Sequence, residues 1–194
     1  VLKKIKSLSK KENIAVFQGS GSMAIEIMIS NFLHGKILVL ESGHYSDRLL
    51  NISNYYKSSH KKIKSIKTIN WKNYYQEKKK YDWILFCHVE TSRGLKLPLK
   101  EISKFFKNQK SKIMLDATAS IGLENDHQYA DILSFSSCKG LFGFTGAGFV
   151  AYNNNIKIHK VASFNLNINN HIQRKMTGPY HIIYSLNKIL KNYS

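Results

Sequence analysis

The chain has 194 residues, 43% of them hydrophobic and 12% aromatic, which is typical of a globular domain and excludes a disordered or fibrous chain. Its net charge is +18, but only three of the 30 basic residues are arginines, so the charge indicates solvated lysine-rich faces and argues against specific nucleic-acid recognition. Its cysteines, Cys87 and Cys138, form no CxxC pair, which argues against a metal site and fits a reducing, cytoplasmic compartment.

The N-terminal segment Val1–Lys11 is basic and amphipathic and lacks the apolar stretch of a signal peptide, so it predicts a surface helix. A start at Val in place of Met is expected of a fragment or of a processed chain. No apolar run in the sequence approaches the roughly 20 residues that a membrane helix needs, so we expect no membrane contact.

Along the chain, short β-branched or aromatic runs alternate with stretches of helical period. This pattern predicts one α/β domain over residues 1–194, with a mainly parallel, mixed sheet flanked by helices. The predicted strands are Ile37–Glu41, Ile63–Ile69, Trp83–His88, Lys112–Asp116, Ile132–Ser136 and Gly148–Tyr152. Helices are predicted over the segment with Ile25, Met28, Ile29 and Phe32 on one face, and over Leu99–Phe106 and His181–Leu190. A turn is predicted at Asn153–Asn155 and a mobile polar loop at Asn165–Asn170.

The run Gly19-Ser-Gly-Ser22 lies between an extended segment and the first of these helices after the N-terminus. Small residues there let backbone N–H groups converge on an anion at the helix N-terminus, so the run predicts an anion site. The alternative is a plain helix N-cap formed by Ser22.

Polar residues also follow the predicted strand Trp83–His88, in the run His88-Val-Glu-Thr-Ser-Arg-Gly94. Open α/β sheets bind their ligands at the carboxyl ends of the strands, so this run is a second candidate for a site. For His88 itself the alternative is a histidine satisfied within the core.

Lys139 and Asp116 are the two residues that indicate the chemistry of the site most directly. Lys139 follows the strand Ile132–Ser136 and has apolar and small residues around it in the sequence. A lysine so placed can form a covalent link to a carbonyl carbon. Asp116 ends a neighbouring strand, where it either caps the following turn or holds a protonated pyridine nitrogen. The two together indicate pyridoxal phosphate (PLP) chemistry.

In this order, these elements resemble the class V aminotransferases of PLP fold type I, most closely the 2-aminoethylphosphonate–pyruvate transaminases. The matching segments are Gly19–Ser22, His88–Gly94, Asp116–Ser120, Ser137–Lys139 and Met176–His181. The resemblance covers residues 19–181 and implies the large PLP-binding domain of that fold. The last segment favours the phosphonate branch over the alanine–glyoxylate branch.

The resemblance also implies roles for single residues. Lys139 would bind the cofactor and move a proton, and Asp116 would pair with the pyridine nitrogen. The implied cofactor contacts are Ser20, Gly21 and Ser22 at the phosphate, Tyr45 stacked on the ring, Thr91 on the phenolic-oxygen side, Thr118 near the ring, Ser137 beside Lys139, and Lys175 and Thr177, which would reach the phosphate held by the partner subunit of a homodimer.

The implied reaction transfers an amino group from 2-aminoethylphosphonate to pyruvate and gives phosphonoacetaldehyde and alanine. The family continues into a C-terminal domain and has an N-terminal arm, and we expect this chain to lack both. Two positions depart from the family pattern: Ser22 stands where Thr is usual, and Arg93 stands where Ser or Thr is usual. The alternatives are a non-catalytic PLP-fold remnant, an aminotransferase of the alanine/serine–glyoxylate type and, as the weakest, a nucleic-acid binder.

Overall fold

A computed structural model describes residues 1–59 and 61–192, so residues 60, 193 and 194 of the predicted domain lie outside the described residues. The helices are α1 (Leu2–Ser9), α2 (Gly21–Phe32), α3 (His44–Ser59), α4 (Leu99–Lys107), α5 (Ile168–Ile172) and α6 (Tyr180–Leu190). The strands are β1 (Asn13–Gly19), β2 (Gly35–Glu41), β3 (Ile63–Asn70), β4 (Trp83–Cys87), β5 (Val89–Glu90), β6 (Leu95–Lys96), β7 (Lys112–Asp116), β8 (Ile132–Ser136) and β9 (Gly146–Tyr152). Within the described ranges, no helix is both long and apolar enough to span a bilayer.

Seven strands form one sheet in the order β1-β9-β8-β7-β4-β2-β3. The five strands from β8 to β3 are parallel, whereas β9 is antiparallel to both β8 and β1. Because β9 is antiparallel to both of its neighbours, β1 runs parallel to β8 and ends at the same edge of the sheet. The strands β5 and β6 form a separate antiparallel hairpin beyond the end of β4. The predicted mixed, mainly parallel sheet is confirmed.

Helices cover both faces of this sheet, and its central strands are therefore buried on both sides. In β7, Ile113 and Leu115 pack in the hydrophobic cluster that contains α4 and α6, whereas Met114 packs in the cluster that contains α2. Strands buried on both faces have continuous apolar runs in place of alternating apolar and polar residues. This explains why β4 and β7 could be predicted from the sequence.

The helix α2 is the most deeply buried one in the described part of the chain. Its predicted apolar residues Ile25, Met28, Ile29 and Phe32 are all at most 1% exposed. The helix packs on β8 and β9. Burying four such side chains stabilises the fold by roughly 1.5–3 kcal/mol each, so α2 is fixed firmly in place.

Besides α5, four elements were not predicted as a strand or a helix: the strand β1, the helix α3 and the two short hairpin strands β5 and β6. On α3 only Ser46, Leu49, Ser53 and Tyr56 are buried, so its apolar period is weak. Predicted ends elsewhere are shifted by one or two residues; the strand predicted from Gly148 starts at Gly146.

The predicted mobile loop at Asn165–Asn170 is wrong in its second half, where α5 begins at Ile168. The cause is the buried side chain of Asn31 on α2. Its amide donates to the Leu166 carbonyl over 2.7 Å, and its oxygen accepts the Ile168 N–H over 3.1 Å. A contact between residues this far apart in the chain cannot be read from local sequence. The N-terminal surface helix is confirmed as α1.

Two histidines are fully buried side by side below the carboxyl edge of the sheet. The rings of His88 and His127 are nearly perpendicular, with centroids 5.6 Å apart. The ring of His127 contacts the Ser120 hydroxyl over 3.1 Å, and Nε2 of His88 lies 3.5 Å from a carboxylate oxygen of Asp126. Burial lowers the pKa of each imidazole to about 4. His88 is therefore a buried core histidine.

We predict that this histidine pair makes the fold sensitive to acid. Between the pKa of an unfolded histidine, about 6.5, and the folded value of about 4, only the unfolded chain takes up protons, so stability falls as the pH falls through this window. From pH 7 to pH 5 the free energy of unfolding should drop by about 2 kcal/mol for each histidine, as measured by urea unfolding. The variant His88→Gln should lose less, while His181→Gln, at an exposed position, should behave as the wild type. Equal pH dependence in all three proteins would contradict the assignment.

Candidate functional site

A cavity of about 150 Å³ opens at the carboxyl edge of the sheet, between the first turns of α2 and α3 and the loops that follow β4, β7 and β8. Strand direction explains its position, because β1, β2, β4, β7 and β8 all end there. Eight of the residues predicted from the sequence line this one cavity: Ser20, Gly21, Ser22, Tyr45, Thr91, Asp116, Thr118 and Lys139.

The floor of the cavity carries a buried carboxylate. Asp116, the last residue of β7, is 3% exposed, and its Oδ1 accepts the Thr118 N–H over 2.9 Å. Burial raises the pKa of the Asp116 carboxyl, because the loss of water outweighs the hydrogen bonds from Thr118 and the positive charges of Arg48 and Lys139. The Thr118 hydroxyl is also buried in the cavity wall, next to the Asp116 carboxyl. The floor thus presents a carboxylate and a neighbouring hydroxyl to a ligand.

Beside Asp116 lies Cys87, its register partner on β4. The thiol is buried and donates to the Val89 carbonyl over 3.2 Å. Burial raises the pKa of the Cys87 thiol, so it stays protonated and serves as a small polar part of the wall.

One wall of the cavity is the N-terminus of α2. Ser20 is the N-cap, and its hydroxyl accepts the Met23 N–H over 3.2 Å, so the expected alternative of a cap by Ser22 is wrong. A Cβ added at Gly21 would lie 3.3 Å from the Thr118 side chain and 3.4 Å from the Ser136 hydroxyl. Glycine therefore keeps the space in front of the first helical turn open. Free N–H groups and the helix dipole favour an anion at this point.

The opposite wall is the first turn of α3. Tyr45 and Arg48 stand three residues apart and so lie on the same side of the helix. The Arg48 guanidinium lies 5.0 Å from the centroid of the Tyr45 ring and donates to the Ser22 hydroxyl over 3.0 Å. Arg48 was missed by the sequence analysis, although its spacing from Tyr45 could have indicated it. It adds a fixed positive charge beside the N-terminus of α2.

The amine of Lys139 lies at the mouth of the cavity. Its Nζ donates to the Tyr45 hydroxyl over 3.3 Å and lies 5.2 Å from the centroid of that ring. A hydrogen bond with Thr91 and then the nearby ammonium of Lys139 lower the pKa of the Tyr45 phenol. Tyr45 therefore holds the lysine amine at the mouth of the cavity.

The side chain of Lys139 is exposed, although apolar and small residues surround it in the sequence. The neighbouring Phe142 and Phe144 are also exposed, at 65% and 69%. The backbone of this turn is nevertheless packed closely, since a Cβ at Gly140 would lie 2.2 Å from the Ile121 carbonyl oxygen. The turn is fixed, and the amine reaches from it over the cavity.

Three residues predicted to contact a cofactor do not line this cavity. Ser137 is buried, and its hydroxyl donates to the Phe144 carbonyl over 2.5 Å and accepts the Ala147 N–H over 3.3 Å, so it braces the turn that holds Lys139. Lys175 is exposed, and Thr177 lines a separate cavity of about 490 Å³ next to β1. The predicted contacts of these three residues with a cofactor stay predictions.

Comparison with known proteins points to one family. The sequence profile described as Aminotransferase class-V matches residues 2–163. The chain is similar to a bifunctional phosphonoacetaldehyde hydrolase/aminoethylphosphonate transaminase of Clostridioides difficile (strain 630), with 29% identity over 74% of this chain and 24% of that protein. It is also similar to a 2-aminoethylphosphonate–pyruvate transaminase of Rhizobium meliloti (strain 1021), with 28% identity over 90% of this chain and 51% of that protein.

Among solved structures, the fold is similar to that of a subgroup IV aspartate aminotransferase from Thermus thermophilus. The TM-score is 0.83 at 19% sequence identity, over 97% of this chain and 59% of that one. The mixed seven-stranded sheet is thus the fold of the aminotransferases. The chain spans about a quarter to a half of the length of these two curated relatives.

We predict that the N-terminus of α2 binds phosphate and that Gly21 is required for it. At inorganic phosphate about ten times above its dissociation constant, the wild type should gain about 1.4 kcal/mol of stability, seen as a rise in Tm. The variant Gly21→Ala should fold but lose this gain, because the new Cβ fills the space beside Thr118. Gly178→Ala is the matched control, since a Cβ there meets no atom within 4 Å. Equal phosphate stabilisation of Gly21→Ala and the wild type would contradict the prediction.

Proposed function

The chain belongs to the aminotransferase class-V family, and on that premise we propose that it binds PLP in the carboxyl-edge cavity and transfers an amino group from 2-aminoethylphosphonate to pyruvate. The products are phosphonoacetaldehyde and alanine. The observation that carries the proposal is the convergence of Lys139, Asp116 and the open N-terminus of α2 on one cavity.

The residues of the cavity fit the parts of PLP. The phosphate suits the N-terminus of α2, where Ser20, Gly21 and Ser22 offer N–H and hydroxyl groups and Arg48 adds a cation. A protonated pyridine nitrogen suits Asp116, because it would place a positive charge in direct contact with this buried carboxylate, whose pKa is raised by burial.

The remaining polar and aromatic groups fit the ring. The Thr118 hydroxyl lines the same space beside Asp116. The ring of Tyr45 offers an aromatic face for stacking. Thr91 lines the cavity on the side of the hairpin.

When bound, PLP supplies an aldehyde carbon that exchanges amines and a pyridinium ring that withdraws electrons from the amine-bearing carbon of the substrate. Lys139 would hold the cofactor through its amine. When it is free, the same amine would carry a proton between the substrate carbon and the cofactor. Asp116 would keep the ring nitrogen protonated throughout.

Three further observations support the finer parts of the proposal. Both curated relatives described above are named for aminoethylphosphonate, which supports this amino donor over one of the glyoxylate-type reactions. Lys175 and Thr177 are exposed, as they must be if they reach the cofactor phosphate of the partner subunit in a homodimer. The free thiols of Cys87 and Cys138 fit a cytoplasmic location.

The proposal is tested by incubating the purified chain with PLP, 2-aminoethylphosphonate and pyruvate and measuring alanine. We expect alanine to form only when both substrates are present, with the variant Lys139→Ala slower by about 100-fold or more, since it lacks the proton carrier. The matched control is Lys64→Ala, which removes an exposed lysine on the edge strand β3 and should keep the wild-type rate.

Two results would count against the proposal in different ways. If the wild type shows no visible absorbance band of lysine-bound PLP, the proposed cofactor is wrong. If the band forms but alanine appears only with another amino donor, the cofactor stands and the proposed donor is wrong.

A further inference from the structure

Glu90, the second residue of β5, is a fully buried carboxylate at the N-terminus of α3. Its Oε2 accepts the backbone N–H of Tyr45 over 3.1 Å and that of Ser46 over 3.3 Å. The same oxygen accepts the Ser42 hydroxyl over 3.4 Å, and Oε1 accepts the Ser92 hydroxyl. The carboxylate therefore satisfies N–H groups that a helix leaves unpaired in its first turn.

The glycine at position 43 lets the Glu90 carboxylate lie close to the start of α3. Gly43 adopts a φ of 153°, and a Cβ there would lie 2.9 Å from the carboxyl carbon of Glu90. A side chain at this position would force the two segments apart. The carboxyl group of Glu90 thus lies at the positive end of the α3 dipole, where its oxygens accept hydrogen bonds.

The contact joins two walls of the proposed cofactor cavity. On α3, Tyr45 carries one of the N–H groups that Glu90 holds, and Arg48 follows one turn later; both side chains line the cavity. On the hairpin, Thr91 directly follows Glu90 and lines the same cavity. Glu90 itself does not line the cavity, so it cannot act on a ligand directly.

We infer that Glu90 is a positioning residue for the cofactor: its buried carboxylate fixes the start of α3 and thereby sets the ring of Tyr45 and the guanidinium of Arg48 against the cavity. The inference rests on the proposed function as far as PLP is concerned. The hydrogen bonds to Tyr45 and Ser46 can be tested without any cofactor.

The test compares the full-length variants Glu90→Ala and Glu90→Gln with the wild type, by hydrogen exchange of the cofactor-free proteins and by titration with PLP. In Glu90→Ala the N–H groups of Tyr45 and Ser46 should exchange at least about tenfold faster, and PLP should bind about tenfold more weakly, because buried donors lose their acceptor. Glu90→Gln should stay within about threefold of the wild type in both measurements, since its amide oxygen can accept the same N–H groups and its NH₂ can donate to Ser92.

Glu12→Ala is the matched control. Glu12 also accepts a backbone N–H, that of Asn154, over 2.6 Å, but at the opposite edge of the sheet. It should change neither the exchange at Tyr45 and Ser46 nor the affinity for PLP. The inference is overturned if Glu90→Ala exchanges at Tyr45 and Ser46 and binds PLP as the wild type does, or if its exchange rises uniformly along the chain. If the wild type itself binds no PLP, the proposed function fails, while the exchange result still decides whether Glu90 holds the start of α3.

Discussion

Because β9 runs against both of its neighbours, β1 ends at the same edge of the sheet as β4, β7 and β8. This reversal brings the N-terminus of α2, which directly follows β1, to the ends of the parallel strands. If β1 ran the other way, its last residue would lie at the far edge, about 20 Å away over seven residues at about 3.3 Å each. The anion-binding turn and Asp116 would then not share a cavity.

The charges in the cavity follow from this arrangement. One buried carboxylate, Asp116, faces a helix N-terminus and the cations Arg48 and Lys139. Such a set suits a ligand that is negative at one end and carries a protonated nitrogen at the other, which are the two ends of PLP. The second carboxylate, Glu90, stays behind the wall, where it stabilises the start of α3 without adding negative charge to the cavity. The overall charge of +18 plays no part in this selectivity, since it is spread over the whole chain.

The sequence predicted those parts of the molecule that depend on local pattern. The strands β4 and β7 are continuous apolar runs because both of their faces are buried, and α2 repeats its apolar residues at helical spacing. Lys139 and Asp116 could also be found, since their position after a strand is visible in the sequence. The glycine- and serine-rich N-terminus of α2 was also predicted. Its N-cap, however, is Ser20, whereas the alternative considered from the sequence was Ser22.

The parts that were missed depend on contacts between distant segments. The start of α3 is held by Glu90, 44 residues further along the chain, and its apolar period is weak. Arg48 lies on that same helix, so its position in the site depends on the same contact. The start of α5 is tied to Asn31, 137 residues away. The exposure of Lys139 and the bracing role of Ser137 likewise depend on how the turn after β8 packs on the loop after β7.

The central claim is that the fold selects one lysine out of many as the residue that holds PLP. The most direct measurement is to load the protein with PLP, reduce the link with borohydride, digest the protein and locate the pyridoxyl group by mass spectrometry. The account predicts a single modified site, Lys139, at about one group per chain. Modification spread over several exposed lysines, with no preference for Lys139, would contradict it.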